Sequence, residues 1–238
     1  MKTKIYHTEN AGLFLMTPHT GILIDGIHGA EKVGFSPMPE KESRQIEEKE
    51  GLFEKLDGLL FTHLHVDHFK AKKVTEFLLR RPDTAVWGPG LEKRHLHDYT
   101  EENGNIRFAI GDFRIHAYPT DHSGKLYQKE PHMSLLVRNG QENEAILAAG
   151  DAVFYPEQAE RIMEDAGKVD AVFVMFYQLV EESSLQFLEK LDPGRIFLYH
   201  CPAPEDDTYG QLPLIRQVVK RGPLPGRMIE VPEHHSWI

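Results

Sequence analysis

The stretch that most constrains this chain is Leu60-Phe61-Thr62-His63-Leu64-His65-Val66-Asp67-His68-Phe69-Lys70, where three imidazoles and a carboxylate fall within six consecutive positions. A short apolar run at 59–61 leads into it and reads as a buried strand. Side chains alternate faces along a strand, so His63 and His65 leave its end pointing the same way. Val74, Phe77, Leu78 and Arg81 then have helical spacing, which predicts a helix over 71–81. Asp67 and His68 therefore fall in the strand-to-helix turn, beside the two upstream histidines. Any one of these residues alone reads as a helix cap or a solvated loop side chain. Four together are costly unless something binds them. Imidazole nitrogens with a carboxylate are what a borderline cation such as Zn²⁺ prefers, so the cluster predicts a metal site.

Size and charge narrow the rest. A chain of 238 residues suits one large domain or two small ones. Its net charge of −10 disfavours non-specific binding to a phosphate backbone or an anionic membrane. The first residues have no apolar signal core, and no later run approaches membrane-spanning length. Cys201 is the only cysteine, which excludes an intramolecular disulfide framework. A cytoplasmic protein is the expectation.

Along the chain, strands are expected over 4–7, 12–16 and 21–24, closed by Asp25-Gly26. Asp25 reads as a hydrogen-bonding support for the histidine loop. Residues 27–40 read as a loop that could rim a pocket, with His19 and His28 as loop residues near a site mouth at most. A charged helix is expected over 41–55, interrupted near Gly51, then a strand at 84–87 and a helix over 91–100 carrying His95 and His97. Residues two apart on a helix point in different directions, so those two should not share a metal and are read as surface.

Strands at 106–109 and 113–119 pair through Gly111-Asp112. Alternation in the second puts His116 on its polar face, which predicts exposure. His122 follows at a strand end, where loops present functional groups. It is preferred as a ligand over His132, its competitor, which would then be a supporting or substrate-facing residue. A strand over 145–149 ends at Gly150-Asp151. A helix over 156–166, a strand over 171–175, a serine-capped helix over 183–191 and a strand over 195–199 lead to His200. Alternation then turns Cys201 away as a packed thiol. A helix near 212–220 precedes a proline-rich tail in which His234 and His235 are expected to fray.

The order His63-x-His65-x-Asp67-His68, then His122, Asp151 and His200, each at a strand end, resembles the metallo-β-lactamase superfamily. Asp25-Gly26 and Ala149-Gly150-Asp151 resemble its other motifs, and the likeness runs from about residue 10 to 207. It implies an α/β fold, a four-layer αβ/βα sandwich, as a single metallo-β-lactamase-like domain over 1–238. It implies two metal ions along one sheet edge, zinc first, with manganese or iron as alternatives. His63, His65 and His122 would hold one ion and Asp67, His68 and His200 the other, with Asp151 bridging and Asp67 also catalytic. Each ion would keep a position open for water. Two departures bear on this: Asp121 stands where a glycine commonly precedes the third-motif histidine, and His65 stands where the diiron flavoprotein branch has a glutamate. The latter favours zinc and hydrolysis.

Such a pair of cations would hold a hydroxide and polarise a carbonyl or phosphoryl oxygen. The expected function is hydrolysis of a small ester, lactone or phosphoester, closest to lactonase-like members. The substrate is a small molecule, anionic ones included; Lys70, Lys72, Lys73, Lys125 and Lys129 could assist, but solvated lysines are the commoner outcome. An iron-dependent oxidoreductase like the sulfur dioxygenases, or a sensor with an idle site, are the alternatives. Nucleic acid is disfavoured for want of a basic stripe.

Overall fold

A computed structural model describes residues 2–29 and 34–238; within the predicted 27–40 loop, residues 30–33 lie outside the described residues. The first sheet gathers β1 (Lys4–His7), β2 (Leu13–Met16), β3 (Gly21–Ile24), β4 (Leu56–Leu60) and β5 (Ala85–Trp87) in sequence order. β1 to β3 are antiparallel; β3, β4 and β5 are parallel, with α1 (Glu40–Glu48) and α2 (Ala71–Arg80) in the connections. The second sheet is built from β6 (His97–Glu102), β7 (Asn105–Ile110), β8 (Phe113–Pro119), β10 (Met133–Asn139), β11 (Glu144–Ala148), β13 (Ala171–Val174) and β14 (Arg195–Leu198). Between these in sequence, β9 (Asp121–His122) and β12 (Ala152–Val153) form a separate two-stranded ladder. Helices α3 (Pro156–Ala166), α4 (Glu182–Leu191) and α5 (Gln211–Arg221) fill the later connections.

The period-two pattern of the strands explains the layering. Leu13, Leu15, Ile22, Ile24 and Leu60 from the first sheet pack with Ile115, Leu135, Val137, Phe173 and Phe197 from the second, forming the core between them. The alternate residues face outward. Phe14, Leu23, Leu59 and Val86 pack against Ile46 of α1 and Val74 and Phe77 of α2. Leu136, Leu147, Val172, Val174 and Leu198 pack against Ile162, Phe187 and Ile215 of α3, α4 and α5. Strands buried on both faces read as near-continuous apolar runs, as 145–149 and 171–175 do. The result is the four-layer αβ/βα sandwich.

Four expectations are corrected. The 91–100 helix does not form. Residues 97–102 extend as edge strand β6 against β7, and Asp98, Glu101 and Glu102 keep that edge charged. His95 and His97 are exposed, as read, but for a different reason: His95 sits in the left-handed region (φ 53°) and donates from Nε2 to the Pro82 carbonyl at 2.7 Å. His116 lies on the outer face of β8 but is buried, because Asp165 of α3 covers it, with Oδ2 2.9 Å from Nδ1. The serines do not cap α4, whose N-cap is Glu181 without a side-chain cap; the buried Ser184 Oγ donates to Glu181 and accepts from the Phe154 amide.

The tail does not fray. β15 (Ile229–Glu230) adds to the second sheet and β16 (Ser236–Trp237) to the first, so the last residues strap the two sheets together. His234 Nδ1 lies 2.5 Å from Glu9 Oε1, and His235 sits between Glu9 (2.7 Å) and Glu42 (2.8 Å). Both carboxylates are buried, and removing their partner leaves charge uncompensated. His235→Ala should therefore cost about 2 kcal/mol or more in urea unfolding, more than an exposed ion pair supplies.

Candidate metal centre

The site is assembled where β4, β8, β11 and β14 end. A buried carboxylate organises it. Asp25 follows β3 in the left-handed region (φ 49°), its N–H donating to the Leu60 carbonyl at 2.9 Å. Its Oδ1 accepts the Thr62 N–H at 2.8 Å, and its Oδ2 accepts the Thr62 hydroxyl at 2.6 Å and His68 Nδ1–H at 2.9 Å. Having given its proton to Asp25, the Thr62 hydroxyl accepts from His63 Nδ1–H at 3.1 Å. One carboxylate thus fixes the tautomer of two imidazoles, directly for His68 and through Thr62 for His63, and leaves each Nε2 lone pair facing inward.

His122 arrives from the β9–β12 ladder, in which it pairs with Ala152, the residue after Asp151. Its Nδ1–H donates to the Ser123 carbonyl at 2.6 Å, and Ser123 N–H donates to the Asp151 carbonyl at 2.7 Å. His122 Nε2 has no hydrogen-bond partner. His132 is differently committed. Its Nε2 accepts the Asp151 N–H at 2.9 Å, so its proton sits on Nδ1, donated to Thr120 Oγ1 at 2.7 Å. Of the two competitors, only His122 has a free lone pair.

Asp151 depends on the glycine before it. Gly150 has φ +61°, and a Cβ there would stand 2.6 Å from His132 Nε2 and 2.9 Å from Thr62, so no larger residue fits. Gln178 Nε2 donates to the Gly150 and Ala152 carbonyls at 3.1 and 2.7 Å, and the Tyr199 hydroxyl accepts the Gly150 N–H at 2.9 Å. His200, also left-handed (φ 58°), donates its backbone N–H to the Asn10 carbonyl at 2.9 Å.

All seven residues proposed as ligands converge. The rings of His63, His65 and His122 lie 4.6–4.8 Å apart. Three groups each have donor atoms within 4.8 Å of one another: His63, His65 and His122; His63, His68 and Asp151; and Asp67, His68 and His200. The two oxygens of Asp151 divide between them, Oδ2 being 3.8 Å from His122 Nε2 while Oδ1 is 3.2 Å from His68 Nε2 and 3.7 Å from His200 Nε2. His68 and His200 face each other Nε2 to Nε2 at 2.8 Å, and Asp67 Oδ2 is 3.5 Å from the latter.

The electrostatics match a ligand set. Burial, then the nearby His68, holds His63 well below the ordinary imidazole range, leaving its lone pair available. Burial opposes charge on Asp67, but its hydrogen bond to His200 and the charge of His68 outweigh that and bring its pKa to about 2. Burial of Asp151 is likewise outweighed, by His200 and His68, so it stays anionic. His68 is the exception: burial pulls its pKa down, but Asp151 and Asp25 on either side raise it well above the usual value. Two converging anions facing His68, and unpartnered nitrogens on His63 and His122, fit divalent metal ions.

The cleft above these groups holds about 700 Å³. A larger hollow of about 910 Å³ beneath the C-terminal strap contains none of the seven residues. None of Lys70, Lys72, Lys73, Lys125 or Lys129 lines the cleft, and Lys72 lies 3.9 Å from Glu76 on the outside of α2. Cys201 is packed, and burial pushes its thiol up to about 12. The alternation argument is not what turns it away, since β14 ends at Leu198.

Sequence reasoning gives no role to several residues that support the site, Thr62, Gln178 and Tyr199 among them. Asn10, buried with φ 51°, bonds both backbone groups of Ser36 through its side chain, at 2.8 and 3.1 Å, as well as receiving the His200 amide. It thereby sets Phe35 edge-on against the His200 ring, 4.2 Å between centroids. His28, far from being a loop residue at a mouth, is fully buried against Asn10 Nδ2 at 3.5 Å; burial, then His68, lowers its pKa to about 3. An asparagine two residues before a turn glycine, Gly12, is the only available signal, and it is a common one. His19 is exposed.

Known structures share this fold. Igni18, a metallo hydrolase from Ignicoccus hospitalis, aligns over 99% of this chain and 97% of its own, at 16% identity and TM-score 0.62. The metallo-β-lactamase fold protein YhfI from Bacillus subtilis aligns over all of both chains, at 11% identity and TM-score 0.61. CmlA, a diiron β-hydroxylase from Streptomyces venezuelae, aligns over all of this chain at 16% identity and TM-score 0.57, and this chain spans 54% of its length. No protein-family model and no curated protein matches the sequence. The chain has the metallo-β-lactamase fold. Among its described residues, no helix is long and apolar enough to cross a membrane.

If Asp25 aims two imidazoles, Asp25→Asn should weaken metal binding by about 10- to 100-fold though Asp25 itself is no ligand. Chelator competition against the purified protein reads this directly.

Proposed function

We propose that this chain is a metal-dependent hydrolase with a dinuclear centre that cleaves a small ester, lactone or phosphoester. The observation that carries it is the convergence of seven imidazole and carboxylate side chains, with unpartnered atoms on His63, His122 and Asp151 among them, at the floor of an open cleft. His63, His65 and His122 would hold one ion and Asp67, His68 and His200 the other, with Asp151 placed between the two groups to serve both. Zinc is the first choice, since this donor set suits it, with manganese and iron accepted by the same atoms. Bound divalent ions would supply Lewis acidity and a nucleophile from water near neutral pH.

The protein's own groups do the rest. Asp67 lines the cleft and, held anionic, accepts a hydrogen bond from the attacking water and orients it. His63 and His68 keep their Nδ1 protons on Thr62 and Asp25, so their inward nitrogens are never lost to the wrong tautomer. His65 and His122 stand at the cleft wall beside Tyr127, which narrows access to the reacting bond. This reading takes the chain as one domain over 1–238, supported by the core shared between the two sheets. It takes the setting as cytoplasmic, supported by a lone, buried, reduced cysteine.

A second reading, an iron-dependent oxidoreductase, is favoured by one observation: a fold neighbour, CmlA, is described as a diiron β-hydroxylase. The protein should be loaded in turn with zinc, manganese and iron and assayed on ester, lactone and phosphodiester substrates, with dissolved oxygen followed in parallel. Hydrolysis by the zinc or manganese form is expected; stoichiometric native iron with oxygen uptake and no hydrolysis would replace this reading with the second. Turnover of nothing, with metals bound, would point to a sensor. Asp151→Ala should lose metal and activity together, a rate loss of about 10²-fold or more. His95→Ala, on the far surface, should change neither.

A further inference from the structure

The wall of the cleft differs in character from its floor. Apart from the candidate ligands, the side chains that rise around it are chiefly Phe35, Tyr127, Met175, Tyr177, Val180 and Tyr209. Several are unusually exposed for their size: Tyr127 at 47%, Val180 at 50%, Tyr177 at 56% and Tyr209 at 67%. They come from three separate segments, the loop after β9, the turn after β13 and the stretch before α5, yet they meet at one rim. Singly exposed apolar side chains need no explanation, but a contiguous set around a concave site does. Among the described residues no lysine or arginine lines the cleft, and the one carboxylate besides Asp67 and Asp151 is Glu181. A group carrying several negative charges would find no cationic side chain there, and would meet Glu181 at the wall.

Resting on the hydrolase reading, we propose that the non-reacting part of the substrate is an uncharged alkyl or aryl group, held by contact with Tyr177, Val180 and Tyr209. The reacting carbonyl meets the metal floor and the apolar group lies along the aromatic wall. A volume of about 700 Å³ accommodates both, and clefts of this size with an apolar wall and few polar groups are the usual form of a small-molecule site. Phosphorylated and nucleotide substrates are placed second by the same argument. Tyrosine suits the role, since it gives a large contact area with few rotatable bonds while its hydroxyl stays wet.

The test uses two ladders of compounds on the zinc-loaded protein. The first is a series of γ-lactones with alkyl substituents from methyl to octyl. Each buried methylene should raise kcat/KM by about two- to fourfold until the wall is filled, for a total of about tenfold or more. Raising sodium chloride from about 0.05 to 0.5 M should not diminish that gain, because contact burial is not screened as charge attraction is. The double variant Tyr177→Ala, Tyr209→Ala should reduce the octyl-to-methyl ratio by at least about fivefold. The second ladder needs no turnover: binding of acetate, butyrate, hexanoate and octanoate by calorimetry, with affinity rising along the series in the parent protein and flattening in the double variant.

The outcomes separate. Lactone turnover with a flat chain-length profile, or faster turnover of a phosphodiester than of any lactone, overturns the inference and leaves the hydrolase reading standing. No turnover of either class, with octanoate still bound more tightly than acetate, overturns the hydrolase reading and supports the apolar wall. Flat carboxylate affinities in the parent protein overturn the inference whatever the kinetics.

Discussion

Everything at the centre depends on one desolvated carboxylate. Asp25 is fully buried and accepts three hydrogen bonds, two from Thr62 and one from His68. A buried anion is tolerable only when paired and fully bonded, and here the donors that satisfy it are the groups that aim the site. The parallel pairing of β3 with β4 brings the ends of both strands together, so Asp25 and Thr62 face each other across one sheet edge. The chemistry of the floor is thus written into the register of two neighbouring strands.

The sequence revealed this unevenly. The β1, β3 and α3 boundaries are read directly from apolar alternation or helical spacing, because those patterns are local. The seven converging side chains were readable for another reason: their order along the chain carries a resemblance that no single motif does. What could not be read is tertiary. Residues 91–100 have an acceptable helical pattern, yet from His97 onward they join edge strand β6, because β7 offers an unpaired edge that local spacing does not disclose. His116 was placed on the correct face and given the wrong environment, since nothing near it in sequence announces Asp165 as its cover. The β9–β12 ladder, two residues long on each side, holds His122 against the Asp151 loop and has no signature at all.

The tail teaches the same lesson in charge. Pro-rich and bearing two adjacent histidines, it has the composition of a frayed end. Its partners, Glu9 and Glu42, are more than a hundred and ninety positions away along the chain and buried, so the histidines are recruited by carboxylates already desolvated by the fold. Glu9 adjoins Asn10, whose carbonyl accepts from both the His200 amide and His7 Nε2. The strap and the candidate ligand His200 therefore share one turn, and the closure of the two sheets is continuous with the floor of the candidate site.

Charge at the floor also bears on what the cleft selects. Under the proposed dinuclear reading, counting only Asp67 and Asp151 against two divalent ions would leave two positive charges, which would argue for anionic substrates. Asp25 is a third carboxylate, 2.9 Å from His68 Nδ1, and at that range in a low-dielectric interior its charge belongs to the centre. With two ions bound and the imidazoles neutral, the net would fall to a single positive charge, enough to polarise one carbonyl or hold one carboxylate product. Beyond it stands a wall without lysine or arginine among the described residues and with Glu181 exposed to the same space. A modestly charged floor under an apolar wall discriminates by shape and contact, and it leaves little of the field that draws polyanions to a strongly cationic cleft.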